Sequence, residues 1–419
     1  MLSAIKHRRI TGAKEIDMPL TFTALEDNST VQFYIASPIT TEMVEYVEYS
    51  MDNGRTWTKT YNRDGVTVEI NLPRKLQEGE SVMFRGSGST YAVETSSSQR
   101  FSYFRLAEGK VKASGNIMSM LNPHFKNLKT IIGEYAFSGM FANNETSLIE
   151  PPLLPATTLS KGCYETMFYN CKALTISPAL PATILAEKCY YSMFDLCNSL
   201  ATVPELPATQ LANNCYGRMF ARCSSITTAP ALPATQLAEG CYSNMFQNCT
   251  SLVTAPALPV TDLKYMCYSY MFSGCTSLIN APALPAMDLT IVSESGGIYY
   301  GVYDSMFSGC TSLVNPPELP ATTLSNYCYE GMFRGCTSLV ESPVLLAQTL
   351  KSSCYKEMFY GCTLLNKITM LGTYLSGALS DWVRNVAAAG TFVKRSDVTN
   401  IPSGNSGIPN GWTVEDYVG

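Results

Sequence analysis

The chain has 419 residues, 15% of them charged, with a formal net charge of −5 and a pI near 5.3. Gly and Pro together are close to average abundance, so the composition is globular, and no segment has the basic excess of a nucleic-acid binder. No apolar run reaches the roughly 18 residues of a membrane span.

Residues 1–18 read as an N-terminal arm. The stretch "MLSAIKHRRITGAKEIDMPL" lacks the ~7–15-residue apolar core of a secretory signal, so export by that route is not expected. Its basic cluster, Lys6-His7-Arg8-Arg9, reads as a solvated feature. Residues 19–105 alternate apolar and polar side chains in segments such as "LTFTALEDNSTVQFYIAS" and "RFSYFRL", separated by turn signals. That pattern predicts an all-β, Ig-like sandwich. Within it, "SMDNGRTW" (50–57) matches the S-x-D-x-G-x-T-W Asp-box, read as a hairpin stabiliser with Gly54 at positive φ and Trp57 packed on the sheet. Residues 106–136 are read as linker and solenoid N-cap.

From residue 137 to 365 the chain repeats itself. The Met of each Met-Phe pair falls at 140, 167, 193, 219, 245, 271, 306, 332 and 358, a 26-residue period with one nine-residue insertion around "TIVSESGGIYYG" (290–301). The template is P-x-L-P-A-T-x-L-x(3)-C-Y-x-x-M-F-x-x-C-T-S-L. On a wheel of ~100° per residue, Leu237, Cys241, Met245, Cys249 and Leu252 share an arc of about 120°. This predicts an amphipathic helical turn, followed by a short strand at "TSLVTA" and a proline corner at "PALP". One unit cannot bury its own apolar face, so the units must stack as a solenoid on the order of 40 Å long at ~4.8 Å per coil.

All 15 cysteines lie in the repeats. Seven precede Tyr, and Val302 takes the eighth such place; eight follow Met-Phe. A small hydrophobe substitutes there where a ligand or nucleophile could not. Spacing is C-x7-C without a partnering His, which argues against zinc. Residues eight apart are about 12 Å apart along a helix, too far for a bridge. Bridges between neighbouring coils remain compatible in distance, yet the count is odd. The thiols are therefore expected to be reduced core filler.

Residues 366–419 read as a C-terminal cap of α+β type. "LSDWVRNVAAAG" offers Ser380 as N-cap, Trp382, Val383 and Val386 on one face and Gly390 as terminator, while "TFVKR" and "GWTVEDY" read as strands.

The stretch "MFSGCTSL" (271–278 and 306–313) resembles the A-F-x-x-C-x-S-L hallmark of the BspA-type leucine-rich repeats of gut-bacterial surface proteins and their phages, with "APALP" in place of their I-x-I-P-type corner and a longer unit. The resemblance covers residues 137–365 and implies adhesion or surface recognition. Combined with the flanks, the expected fold class is mixed β/α: a β-sandwich, a leucine-rich-repeat solenoid of about nine units and an α+β cap. No phosphate-binding loop, zinc-protease motif or EF-hand occurs, and no carboxylate pair recurs along the array. Catalytic, cofactor and metal residues are thus not expected. The candidate ligand contacts are Tyr299 and Tyr300 in the insertion, while the tyrosines that follow cysteine read as core edge rather than a glycan-stacking strip. The functional expectation is a non-enzymatic phage virion fibre or decoration protein, assembled in host cytoplasm. Its arm and sandwich would hold other virion proteins, and its solenoid would touch a host-surface glycan or protein. No nucleic acid or membrane insertion is expected, and homo-oligomerisation is left open. The alternatives are a bacterial surface adhesin and, remotely, a polysaccharide-acting enzyme.

Overall fold

A computed structural model describes residues 15–36, 46–61, 68–95, 98–291 and 301–418. Among the described residues the N-terminal part is built from ten strands, joined by an eleventh from the first coil. A six-stranded sheet runs in the order β11-β10-β1-β6-β3-β4, with β1 Leu20–Ala24, β3 Tyr46–Ser50, β4 Thr58–Tyr61, β6 Ser81–Ser87, β10 Val111–Ser114 and β11 Leu148–Glu150. A three-stranded sheet, β5-β2-β9, lies across from it, with β2 Gln32–Ile35, β5 Val68–Asn71 and β9 Tyr103–Arg105. A further pair, β7 Ala92–Thr95 and β8 Ser98–Phe101, forms a hairpin. The alternation along β2 and β9 aims one set of side chains inwards, and Phe22, Phe33, Phe84 and Phe104 meet in the resulting core with no exposed surface.

The Asp-box closes the β3–β4 hairpin as expected. Gly54, at φ 80°, donates its N–H to Ser50 Oγ at 2.9 Å, and the Trp57 indole donates to Gly54 O at 3.1 Å. Asp52 accepts from the Thr56 N–H at 2.9 Å, and hydrogen bonds from Thr56 and Ser50 hold its carboxyl down at about 2. Arg85 covers the Trp57 ring at 4.0 Å. Ser50, Asp52, Thr56 and the Trp57 indole all bond within the turn, so the motif is structural here.

The sandwich runs directly into the solenoid. Strand β10 pairs antiparallel with β1 and parallel with β11, which belongs to the first coil. Phe104 of β9 donates its N–H to Met140 O in that coil at 2.8 Å. The antiparallel sheet therefore templates the first parallel rung.

The repeats differ from the sequence expectation in one respect. The Cys-Tyr-x-x-Met-Phe-x-x-Cys segments are not helical: no helix forms there, and the helical elements among the described residues are two 3-10 turns, Ile117–Met120 and Phe125–Asn127. Instead each segment is a chain of overlapping turns. Between Cys189 and Cys197, alternate N–H groups donate three residues back, as Tyr191 does to Lys188 and Met193 to Tyr190. The intervening N–H groups donate to the next coil, as Tyr190 does to Cys215 and Phe194 to Met219. Every fourth residue, Lys188, Ser192 and Leu196, has positive φ. The repeat of this backbone is thus four residues. Residues at i, i+4 and i+8 share a face whether the period is 3.6 or 4, so the helical reading found the right buried face and assigned it the wrong backbone.

The strand expected after each Thr-Ser-Leu is reduced, in the middle coils, to isolated bridges such as Thr228 with Thr254 and Asn280 with Asn315. The two prolines of each "PALP" corner lack N–H donors and stop the ladder there. Where they thin out, full strands appear. β12 Glu341–Leu345, with one proline, pairs with the proline-free β13 Lys367–Met370, and β14 Thr391–Lys394 and β15 Thr413–Asp416 extend the same parallel sheet. The fold is therefore mostly β, with a β-solenoid, rather than mixed β/α.

The C-terminal cap corrects the α+β expectation for the same reason. "LSDWVRNVAAAG" is a tenth turn segment, not a helix capped by Ser380. Tyr355 and Phe359 donate to Ala378 O and Trp382 O, and Asp381 and Asn385 take the positive-φ places. Its order of buried residues, Ala378-Leu379 and Trp382-Val383, copies Cys-Tyr and Met-Phe with larger and smaller hydrophobes.

Candidate functional site

The repeated interior of the coils leaves no chemistry exposed. All 15 cysteines are free and buried. Burial pushes the Cys163, Cys241 and Cys354 thiols up to about 12, so the reactive thiolate is suppressed. Each of the eight cysteines after Met-Phe donates its S–H to the Phe carbonyl of the preceding coil, for example Cys249 to Phe220 at 3.0 Å and Cys275 to Phe246 at 3.1 Å. That bond gives the second column a reason to be cysteine rather than alanine. The tyrosines after the first cysteine are 1–2% exposed and stack ring on ring, so they are core and not a glycan strip.

The outward positions of the same turns carry different residues from coil to coil. The place after Met-Phe reads Tyr169, Asp195, Ala221, Gln247, Ser273, Ser308, Arg334 and Tyr360, with Asp195 and Ala221 buried and the others reaching the surface. Asp195, 1% exposed, is held by Arg222 through Nε and Nη2, both at 2.8 Å, and by Arg218 at 3.1 Å. The Tyr169 phenol lies beside Arg222 and, with Asp195, holds its guanidinium charge more firmly.

These turns build a cleft where the first two coils meet the sandwich. It measures about 610 Å³ and is walled by Phe101, Tyr103, Arg105, Asn143, Thr166 and Tyr169, with Phe104 and Asn144 behind. Gly139 opens its floor: at φ 65°, it leaves free the space where a Cβ would sit 3.3 Å from the Phe101 ring. Strand β9 aims Tyr103 and Arg105 outwards because its neighbours Ser102, Phe104 and Leu106 face the core. Tyr103 is stacked on Tyr34 of β2, with centroids 5.0 Å apart and planes 10° apart. Tyr34 in turn donates to Glu69 at 2.9 Å, and Asn170 donates to Asn143 Oδ1 at 3.0 Å.

Asn144 stands where later coils place cysteine. Its Nδ2 donates to Phe104 O at 2.8 Å and Phe141 O at 2.9 Å, and its Oδ1 accepts from the Leu106 N–H at 2.8 Å. It therefore joins β9 to the first coil as the thiols join coil to coil, and all of this bonding faces the protein.

Tyr299 and Tyr300, the ligand contacts expected from the insertion, lie outside the described residues, as do Lys6 to Arg9. The cleft was missed by sequence reasoning because its residues come from three separate stretches, with Tyr103 and Tyr169 66 positions apart in the chain. Two signals were present: Tyr103 and Arg105 alternate outward in "RFSYFRL", and Tyr169 puts an aromatic where several later coils have small or polar residues. Among the described residues no group of three or more His, Cys, Asp or Glu is placed to hold a metal ion. No helix of the described residues is long and apolar enough to cross a membrane.

A stack of near-identical coils with a uniform interior and a varied outer face defines a leucine-rich-repeat scaffold of the kind used for surface or adhesion interactions. The family model described as BspA type leucine-rich repeat region matches residues 115–253 and 298–381 in six copies, and the chain belongs to that family. No curated protein matches the chain.

Proposed function

We propose that this protein is a non-enzymatic attachment component of a phage virion, a fibre or decoration protein that presents its solenoid to the host cell surface. The observation that carries this reading is the division of labour within each turn segment. Phe168, Phe246, Phe272 and Phe333 repeat unchanged inside, while the adjacent outward residues Tyr169, Gln247, Ser273 and Arg334 vary. Uniform coils supply stiffness, and variable outer positions supply a recognition surface. A core of free thiols supports assembly in a reducing compartment such as host cytoplasm. The arm and sandwich then hold other virion proteins, and the solenoid contacts the host.

Mass spectrometry of purified particles tests the assignment: the chain is expected among virion proteins, and antibody against it is expected to slow adsorption to host cells. Recovery of the chain from bacterial envelopes, and its absence from particles, would replace this reading by that of a bacterial surface adhesin.

A further inference from the structure

We propose that the cleft between β9 and the first two coils binds a neutral oligosaccharide, with Tyr103 and Tyr169 as stacking faces and Arg105, Asn143 and Thr166 as hydroxyl partners. This rests on the recognition reading above and names its ligand class.

Size comes first. At about 610 Å³ the cleft lies within the ~300–1,000 Å³ range of small-molecule sites. Its lining then selects the chemistry, for it contains aromatic rings, an amide, a guanidinium and a hydroxyl, and no Leu, Ile, Val or Met. An apolar ligand or a peptide anchor would call for aliphatic walls. A sugar ring offers C–H faces to aromatic rings and hydroxyls that both donate and accept around its edge. Asn supplies a donor and an acceptor, Arg donors alone, and Thr either, so each hydroxyl polarity has a partner.

The backbone argues against a peptide laid down as an extra strand. On this side of β9 the Phe104 N–H is already bonded to Met140 O and the Leu106 N–H to Asn144 Oδ1. Of the ions around the cleft, Arg222 is paired with Asp195 and Lys172 with Glu145, so Arg105, beside the Tyr34 phenol, is the one charged group on the lining, which suits an uncharged ligand's hydroxyl oxygens better than a polyanion. Preorganisation is supplied from behind. Tyr34 stacks on Tyr103, Asn170 fixes Asn143, and the Asp195-locked Arg222 backs Tyr169. Residues held this way lose little freedom on binding.

The test uses the full chain with cellotriose, maltotriose, mannotriose and the trimer of N-acetylglucosamine as probes, read by saturation-transfer NMR and calorimetry. At least one is expected to bind saturably, and Tyr103→Ala and Tyr169→Ala are each expected to weaken it by about tenfold. Ala142 also lines the cleft, beside Asn143, and Ala142→Phe, which fills the space and leaves the aromatic walls in place, is expected to abolish binding while thermal unfolding stays as in the parent. No binding by any of the four, or binding indifferent to all three variants, overturns the proposal. Adhesion of the labelled chain to host cells separates the two levels. Adhesion that survives the Tyr103→Ala, Tyr169→Ala double variant sinks the glycan cleft and spares the attachment role, whereas a parent chain that fails to adhere sinks the attachment role.

Discussion

In the sandwich, Phe22 meets Phe84 at 86° and Phe104 at 53°, and Phe84 meets Phe104 at 74°. In the solenoid, Phe194 meets Phe220 at 2° and Tyr190 meets Tyr216 at 2°, with centroids 5.7 and 5.8 Å apart. The first region lets each ring find its own edge-to-face partner. The second has its geometry set by translation, since coils that repeat the backbone must repeat the ring. With a rise of ~4.8 Å per coil, a centroid separation of 5.8 Å implies a sideways slip of about 3 Å, which is the offset stacking that ring quadrupoles favour. Repetition therefore costs little at each rung, and what it leaves unsolved is the two ends.

The ends are closed by residues that break the repeat. At the head, Tyr91 stacks on Phe137 and Phe104 on Phe141, so the sandwich supplies both a Tyr-column and a Phe-column ring. At the tail, the single Trp382 indole meets both Tyr355 and Phe359 and donates to Gly407 O at 2.8 Å. Trp382→Ala should break the comparison most severely, costing about 3–5 kcal/mol in guanidinium unfolding. Hydrogen exchange should show the loss concentrated in the last coils, because neighbours in a solenoid support only neighbours. An equal rise in exchange along the whole rod would refute nearest-neighbour coupling.

The head joint comes next. Asn144→Ala strands the Leu106 N–H and two carbonyls, for an expected loss of about 2–4 kcal/mol. Asn144→Cys should lose less, because a thiol there can donate to the Phe104 carbonyl as every later coil does to its predecessor. Equal losses for the two variants, measured by urea unfolding, would show that the joint does not imitate a coil-to-coil contact.

A smaller effect distinguishes one coil from its neighbours. Asp304 is 3% exposed, and burial raises its carboxyl to about 7, with Glu330 adding to the rise and the Ser305 hydroxyl and Lys356 opposing it. A carboxyl raised above its unfolded value binds more protons in the native state. Its contribution is complete below about pH 4 and is lost as pH climbs through 7, worth about 1.4 kcal/mol between pH 6 and 8. Asp304→Asn should flatten that decline, and an unchanged slope of stability against pH in the variant would rule the group out. Smallest of all, Cys249→Ala removes one S–H bond and little volume, for about 1 kcal/mol. In the parent chain a water-soluble alkylating reagent should label at most one or two thiols before unfolding. Fast labelling of most of them would contradict the buried ladders.

Much of this was legible in the chain. The Asp-box turned out as its spacing implied, and Val302 among the cysteines foretold a column of small buried hydrophobes, in which it is itself 2% exposed. The error over the turn segments had a visible correction. From Leu237 through Cys241 and Met245 to Cys249 the steps are four residues each, and a helix would drift by about 120° over those twelve. The tolerance that accepted a 120° arc hid a period of four. The same strictness marks Ala378, Trp382 and Val386 as one more coil.

Period, buried columns and the need for stacking follow from the linear order of residues, because a repeated apolar pattern can be satisfied only by its own copies. Which backbone carries that pattern follows from hydrogen bonds between coils, with one N–H in two committed to a carbonyl about 26 residues away. The cleft is likewise a product of assembly: Tyr103 and Tyr169 become neighbours once β9 has docked on the first coil, through Phe104, Asn144 and Met140.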